Sequence, residues 1–294
     1  DSDEDEDTPL SAAGIRRRTG RRLAKGVVPD GTEHITIGLD VGKFLLHWVA
    51  IAWQPGATGS IIDYAKEEVD PNRYGVEPAI VKALERLHGE GFGWVTEKEP
   101  LGIEPSLVWV DSGWKPRPVY EFCKTVENWC ASKGFGETQR GKSATSYQQP
   151  KKRTHDIRRV GDQWYMRKMR AERIDLYHVN ADYWKSWAHE RLAVENPEET
   201  AGSIVLFDAP ERDHIPISKH FTSERRITEF NKERGVMITR WVKVSKANHF
   251  FDALYLACAA GHSLGVRLLE TEKVERKQPV VSDWFKKQRE GRRR

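Results

Sequence analysis

Cysteine is scarce in this 294-residue chain, and the scarcity removes several options at once. Cys123, Cys130 and Cys258 include no close pair at zinc-ligand spacing, and so odd and small a count argues against a disulfide framework and for a reducing compartment. They read as small buried hydrophobes. Long apolar runs are also missing. No stretch approaches the roughly 20 apolar residues that span a bilayer, and the N-terminus has no apolar signal core, so no membrane partner is expected. Hydrophobic residues make up 38% of the chain against 31% charged, which implies a heavily solvated surface. The net charge of +4 understates the basicity of the body, because DSDEDED at the N-terminus offsets much of it. A basic body fits a polyanionic partner.

Residues 1–30 read as a disordered or interdomain linker: DSDEDED and RRRTGRRLAK each repel themselves and neither carries a sustained apolar face. Residues 269–294 read as a basic C-terminal tail, in which VVSDWF could dock on a partner. Residues 31–268 carry the alternating signals of one α/β domain without internal repeats. HITIGLD (34–40) and FLLHWVAIAW (44–53) predict a hairpin, SIIDYAKEEV (60–69) a third strand and EPAIVKALERL (77–87) a helix. SLVWV (106–110) predicts a buried strand, and PVYEFCKTVENWCASK (118–133) a helix closed by Gly134. Residues 145–173 predict a projecting basic hairpin turning at GDQ (161–163). Beyond it, strands are expected at 174–179, 203–207 and 236–244, and helices at 183–192, 223–233 and 248–269.

GETQRGKS, Gly136 to Ser143, has the spacing of a phosphate-binding loop. Such a loop needs a buried strand before it and a helix after it. NWCASKGF has no β-branched apolar run, and Pro150 arrives before a second helical turn, so the match reads as a surface loop whose Arg140 and Lys142 face water.

Three aspartates stand among core residues: Asp40 in IGLDVGK, Asp111 in VWVDSGW and Asp252 in NHFFDALYLACAAGH. A carboxylate so placed is costly unless paired, hydrogen-bonded or bound to metal. Three converging carboxylates would be hard oxygen ligands for Mg²⁺ or Mn²⁺, and two such ions roughly 3.5–4 Å apart can drive phosphodiester hydrolysis. Asp63, Asp182 and Asp208 also lie near element ends, so position alone leaves the choice of three open.

The ordered set VVPDGTEHITIGLDVGK, SIIDY, VWVDSGWKPRPVYEFC, IDLYHVNADYWKSW and ITRWVKVSKANHFFDALYLACAAGH resembles the C-terminal nuclease domain of phage large terminase subunits of the lambda-like kind. The resemblance covers most of residues 27–265. It implies a ribonuclease H-like fold, with a central mixed β-sheet flanked by helices. It also implies a metal-dependent endonuclease that cuts concatemeric double-stranded DNA with two Mg²⁺ or Mn²⁺ ions on Asp40, Asp111 and Asp252. Gly42 stands where the family often has Gln, and Asn248-His249 where it often has Asn-Glu, so His249, with Asn248, either substitutes for that Glu or is a plain helix N-terminal residue; Lys43, just past the first strand, is an auxiliary candidate that touches the scissile region or faces water. The implied partners are DNA, a terminase ATPase domain, the small terminase subunit and, through the tail, the capsid portal, all in the host cytoplasm.

Lys151, Lys152, Arg153, Arg158, Arg159, Arg167, Lys168 and Arg170 are the DNA-binding candidates, with Tyr147, Trp164 and Tyr165 among them to stack on bases. The competing readings are a branched-DNA resolvase or transposase-type nuclease on the same fold, an actin-like sugar kinase or ATPase, and a DNA- or portal-binding module whose metal site has decayed. The absence of a repeat speaks against the kinase.

Overall fold

The structure, a computed structural model, describes residues 10–20, 23–96, 102–136, 146–231 and 235–268. The elements in chain order are α1 (Ala12–Arg16), β1 (His34–Val41), β2 (Leu45–Gln54), β3 (Thr58–Glu68), α2 (Pro71–Tyr74), α3 (Val76–Glu90), β4 (Leu107–Asp111), α4 (Pro116–Cys123), β5 (Trp129–Phe135), β6 (Ile157–Gly161), β7 (Trp164–Met169), β8 (Ile174–Asn180), α5 (Ala181–Ala193), β9 (Ile204–Leu206), α6 (Ile215–Phe221), β10 (Glu224–Asn231), β11 (Val236–Lys243) and α7 (His249–Leu264). Among the described residues, nine strands form one sheet in the order β6-β7-β8-β5-β4-β1-β2-β3-β9. Within it β1, β4, β5 and β8 run parallel, while β2 and β7 run against their neighbours. This is the ribonuclease H-like arrangement: three strands in a meander, then parallel strands on the other side of β1. No helix among the described residues is long and apolar enough to cross a membrane.

Both faces of the sheet are covered, which explains why its central strands are apolar almost throughout. On β1, Ile35, Ile37 and Leu39 pack with Ala79, Ile80, Ala83 and Leu84 of α3 and Val119 of α4. The alternate residues face α7, where the Thr36 hydroxyl donates to the Ala257 carbonyl at 2.8 Å. Helix α7 is apolar nearly all round because it lies in the core, among α5, α6 and the sheet. It stops at Gly265, whose φ of 111° ends the helix short of the expected 269.

Two expected helices are corrected. The 118–133 helix ends at Cys123, and Asn128, at φ 67°, turns the chain into β5, which pairs in parallel with Val108–Asp111 of β4. The 223–233 helix is instead β10, paired with β11 from Glu224↔Lys243 to Asn231↔Val236. Cross-strand partners fix it: Arg240 grips Glu229 and Thr228 meets Thr239. The basic hairpin is present as β6–β7, but β7 pairs along β8, so it extends the main sheet rather than standing clear of it.

Part of the expected linker is packed on this body. Ile15 of α1 is fully buried, and the Arg18 guanidinium donates to the carbonyl of Ile204 at 3.0 Å. The helix is closed by the Ser11 hydroxyl, which accepts from the Gly14 amide. The residues before Leu10 and the tail 269–294, with VVSDWF, lie outside the described residues. So does most of GETQRGKS; β5 does lead into it, contrary to expectation, while residues 146–156 after it hold no helix.

Candidate active site

The site grows from one close approach. At Gly38 on β1 a Cβ would lie 1.9 Å from the Ala253 carbonyl oxygen and 2.6 Å from the Ala257 amide nitrogen. Glycine alone lets the α7 backbone ride directly on the strand, and this brings the first turn of α7, with Asp252, beside the end of β1. Gly38→Ala is therefore expected to push α7 off the sheet, costing about 3 kcal/mol or more and cleavage activity together. Thermal unfolding with a plasmid assay checks this; an unchanged melting temperature refutes it.

Asp40 is next to last in β1 and Asp111 ends β4, and the two strands are parallel neighbours in register through Leu39↔Val110. Their side chains share the α7 face of the sheet. The Asp111 carboxyl is pushed up to about 7, first by burial and then by the charge of Asp40. Asp40 is raised too, chiefly by burial and against the pull of His249. Its Oδ2 lies 2.8 Å from Nδ1 of His249, and this bond raises the imidazole above its ordinary range. Asp252 is held by Lys185, whose Nζ is 2.7 Å from its Oδ1, and by Asn248. Lys185 also reaches Glu224 at 2.8 Å. Burial alone would depress this ammonium, but Asp252 and Glu224 overcome that and hold it above its usual value.

Beneath Asp40 lies a layer of imidazoles. His47 on β2 is the cross-strand partner of Asp40 and stacks on His249 with ring centroids 4.6 Å apart. It is 5% exposed, its Nδ1 is buried without a partner, and burial drives its pKa down to about 3, so it is neutral. Asp40, His47 and His249 each bring one potential ligand atom within 4.8 Å of the others. Carboxylates that repel one another beside an unpartnered neutral imidazole are a donor set that fits a divalent cation.

Asp40, Asp111 and Asp252 are thus brought together, with His249 and Asn248 in contact with two of them. Lys43 stands exposed in the β1–β2 turn, over the ring of Phe44 at 5.0 Å. The other aspartates are elsewhere: Asp63 accepts from the Trp94 indole and pairs with Lys25, Asp182 accepts from the Trp241 amide, and Asp208 is exposed after β9. His47, Lys185 and Glu224 escaped sequence reading. The signal for the first two was a polar residue inside an apolar run, FLLHWVAIAW and YWKSWAHERL. Glu224 was hidden by the mistaken helix. At the rim, Phe44 and Trp114 are 54% and 47% exposed, each beside a lysine.

One basic candidate, Arg159, shares a row with the site. Asp111, Ser132, Tyr177, Met166 and Arg159 are successive partners across the sheet, a span of about 19 Å at ~4.8 Å per strand. Lys151, Lys152, Arg153, Arg158 and Arg167 are exposed. Arg159 donates to the Ser263 carbonyl, Arg170 is bound to Asp156, and Lys168 is half-buried. Trp164 is withdrawn from any stacking role: it is 3% exposed, packed on Trp109 and hydrogen-bonded to His262. Tyr165 stacks on His178 and faces Tyr147.

The model of the family described as the endonuclease domain of terminase large subunit gpA matches residues 3–275. The chain belongs to that family. No curated protein matches its sequence. Among solved structures it is similar to the large terminase of the thermophilic bacteriophage D6E, at 9% identity and a TM-score of 0.39, over 85% of this chain and 45% of that one. It is also similar to the g2p large terminase nuclease domain of bacteriophage SPP1, solved with bound Mn, at 15% identity and a TM-score of 0.35, over 83% and 96% of the two chains. The chain spans less than half the length of the D6E protein. Membership of a terminase nuclease family gives the carboxylate cluster its context.

Proposed function

We propose that this chain is the metal-dependent endonuclease of a DNA-packaging terminase and hydrolyses phosphodiester bonds of concatemeric double-stranded DNA. The observation that carries the reading is the meeting of Asp40, Asp111 and Asp252 at one end of the parallel strands, with Asp40 and Asp111 both raised in pKa. Asp40 and Asp111, with His47 and His249 alongside, would hold Mg²⁺ or Mn²⁺. The cation would supply a lowered pKa for water and a countercharge for phosphate. His249 orients Asp40 through the 2.8 Å contact, and Lys185 and Asn248 hold Asp252 in one rotamer. The two-ion form implied by the family would draw on all three aspartates. Phe44 and Trp114 can press on the duplex beside the cut. In this reading the ATPase domain, the small subunit and, through residues 269–294, the capsid portal are partners in the host cytoplasm.

Purified chain with Mn²⁺ is expected to nick and then linearise supercoiled plasmid, and EDTA to abolish this. Absence of cutting together with absence of any Mn²⁺ effect on thermal unfolding would sink the reading.

The exposed basic residues leading into and along the β6–β7 hairpin support DNA contact. Replacing Lys151, Lys152 and Arg153 by Ala is expected to weaken binding without regard to sequence. The slope of log K against log salt should fall by up to about 2.7, at about 0.9 per lost phosphate contact. Fluorescence anisotropy at several salt concentrations measures it; an unchanged slope removes these residues from the interface.

A further inference from the structure

Asp252 has no oxygen left over. Its Oδ1 receives the Lys185 ammonium at 2.7 Å, and its Oδ2 receives the Asn248 amide. Glu224 is in the same position: Oε2 takes Lys185 and Oε1 takes Asn248, both at 2.8 Å. The four side chains close a ring in which one ammonium and one amide bridge two carboxylates. Asp40 and Asp111 differ. His249 contacts Oδ2 of Asp40 and the Gly113 amide contacts Oδ1 of Asp111, so each keeps one oxygen with no hydrogen-bond partner among the described residues.

Lys185 has nowhere to retreat. Its side chain is 8% exposed, and its ammonium lies 5.4 Å from the Phe251 ring and 5.6 Å from the Tyr255 ring. It comes from α5, which packs along α7, so the charge is fixed to the same scaffold as Asp252. A dication placed against Asp252 would have to displace a charge-assisted hydrogen bond and sit beside a fixed like charge in a poorly solvated place.

We propose that Lys185 is a built-in cation occupying the place of a second divalent ion, so that the site takes one metal ion, at Asp40 and Asp111. The inference rests on the endonuclease reading and narrows it. Lys185 acts as a positioning residue: it holds Asp252 and supplies a permanent countercharge next to the ion, where a two-ion site would have to capture one.

The test is a count of Mn²⁺ ions on the full chain, by electron paramagnetic resonance of free Mn²⁺ and by calorimetry. Only ions lost on Asp40→Asn or on Asp252→Asn are scored. One ion is expected for the unaltered chain. Lys185→Gln removes the charge and is expected to raise the count to two, with the second lost again when Asp252→Asn is added. Two ions on the unaltered chain would overturn the inference and leave the endonuclease reading standing. A folded Lys185→Gln chain that still takes one ion would overturn it as well. No Asp40-dependent ion at all would bring down the endonuclease reading itself, and this inference with it. Should Lys185→Gln fail to fold by circular dichroism, the count for the unaltered chain decides alone.

Discussion

Asp40→Asn and Asp111→Asn, made singly, are each expected to lower Mn²⁺-dependent plasmid nicking by about a thousandfold or more, or ~4 kcal/mol of barrier. Both changes keep size and hydrogen bonding but remove a negative oxygen from the place where the cation would sit. The fold should survive, and for Asp111→Asn it should improve in metal-free buffer. The sign follows from the direction of the shift. The Asp111 carboxyl titrates near 7 in the folded chain, against 3.8 when unperturbed. Between those values the folded state holds a proton that the unfolded state has released. Its contribution is therefore intact below pH 4 and is lost as pH rises through 7. Asn carries no such penalty, so the variant should gain on the order of 3 kcal/mol at pH 8 and nothing at pH 4, partial exposure of the site having trimmed the figure. Urea unfolding with EDTA at the two pH values reads this out. Nicking within tenfold of the unaltered chain would remove the aspartate from the catalytic set, and a variant less stable at pH 8 would refute the electrostatic account.

Lys185→Ala is expected to destabilise the chain by about 3–5 kcal/mol, because it leaves Glu224 and Asp252 facing each other without their shared cation. For a domain of this size that is a fall of roughly 10 °C in melting temperature. Burial decides the magnitude: an exposed pair such as Arg117 with Glu121 is screened by water and contributes little. The penalty belongs to the stranded carboxylates rather than to the lysine. Lys185→Met combined with Glu224→Gln and Asp252→Asn should therefore recover most of the loss, with a coupling well beyond additivity. A Lys185→Ala chain melting within 2 °C of the unaltered one would show that the ring is not a unit.

These effects were unevenly visible beforehand. IGLD, VWVD and FFDALYLACAAG each put a carboxylate at the edge of a run that has to be buried, so Asp40, Asp111 and Asp252 stood out before any coordinates. Strands β1 to β4 and helix α7 were legible for the same reason: their patterns are strong over their whole length. Strand β5 was missed because WCASKGF has little intrinsic preference for strand, and pairing with β4 imposes it. Strand β10 was missed because SERRITEFNKE has helix-friendly composition, whereas its partner β11 offers cross-strand contacts that no local window contains. Trp164 looked like a base-stacking residue among arginines, and only the docking of β7 on β8 shows that it is core.

By itself, then, the sequence determined the α/β class and the order of the central elements, because hydrophobic patterning is a local property; it marked Asp40, Asp111 and Asp252 as costly to bury, and only the family resemblance chose them over Asp63, Asp182 and Asp208. Tertiary structure alone decided which polar groups meet. His47 lies beneath Asp40 through a register across two strands, and Lys185 reaches Asp252 from a helix 67 positions earlier in the chain. Gly38 permits the helix–strand contact that gathers them. Distances between residues remote in sequence are set by packing, and packing is a property of the whole fold.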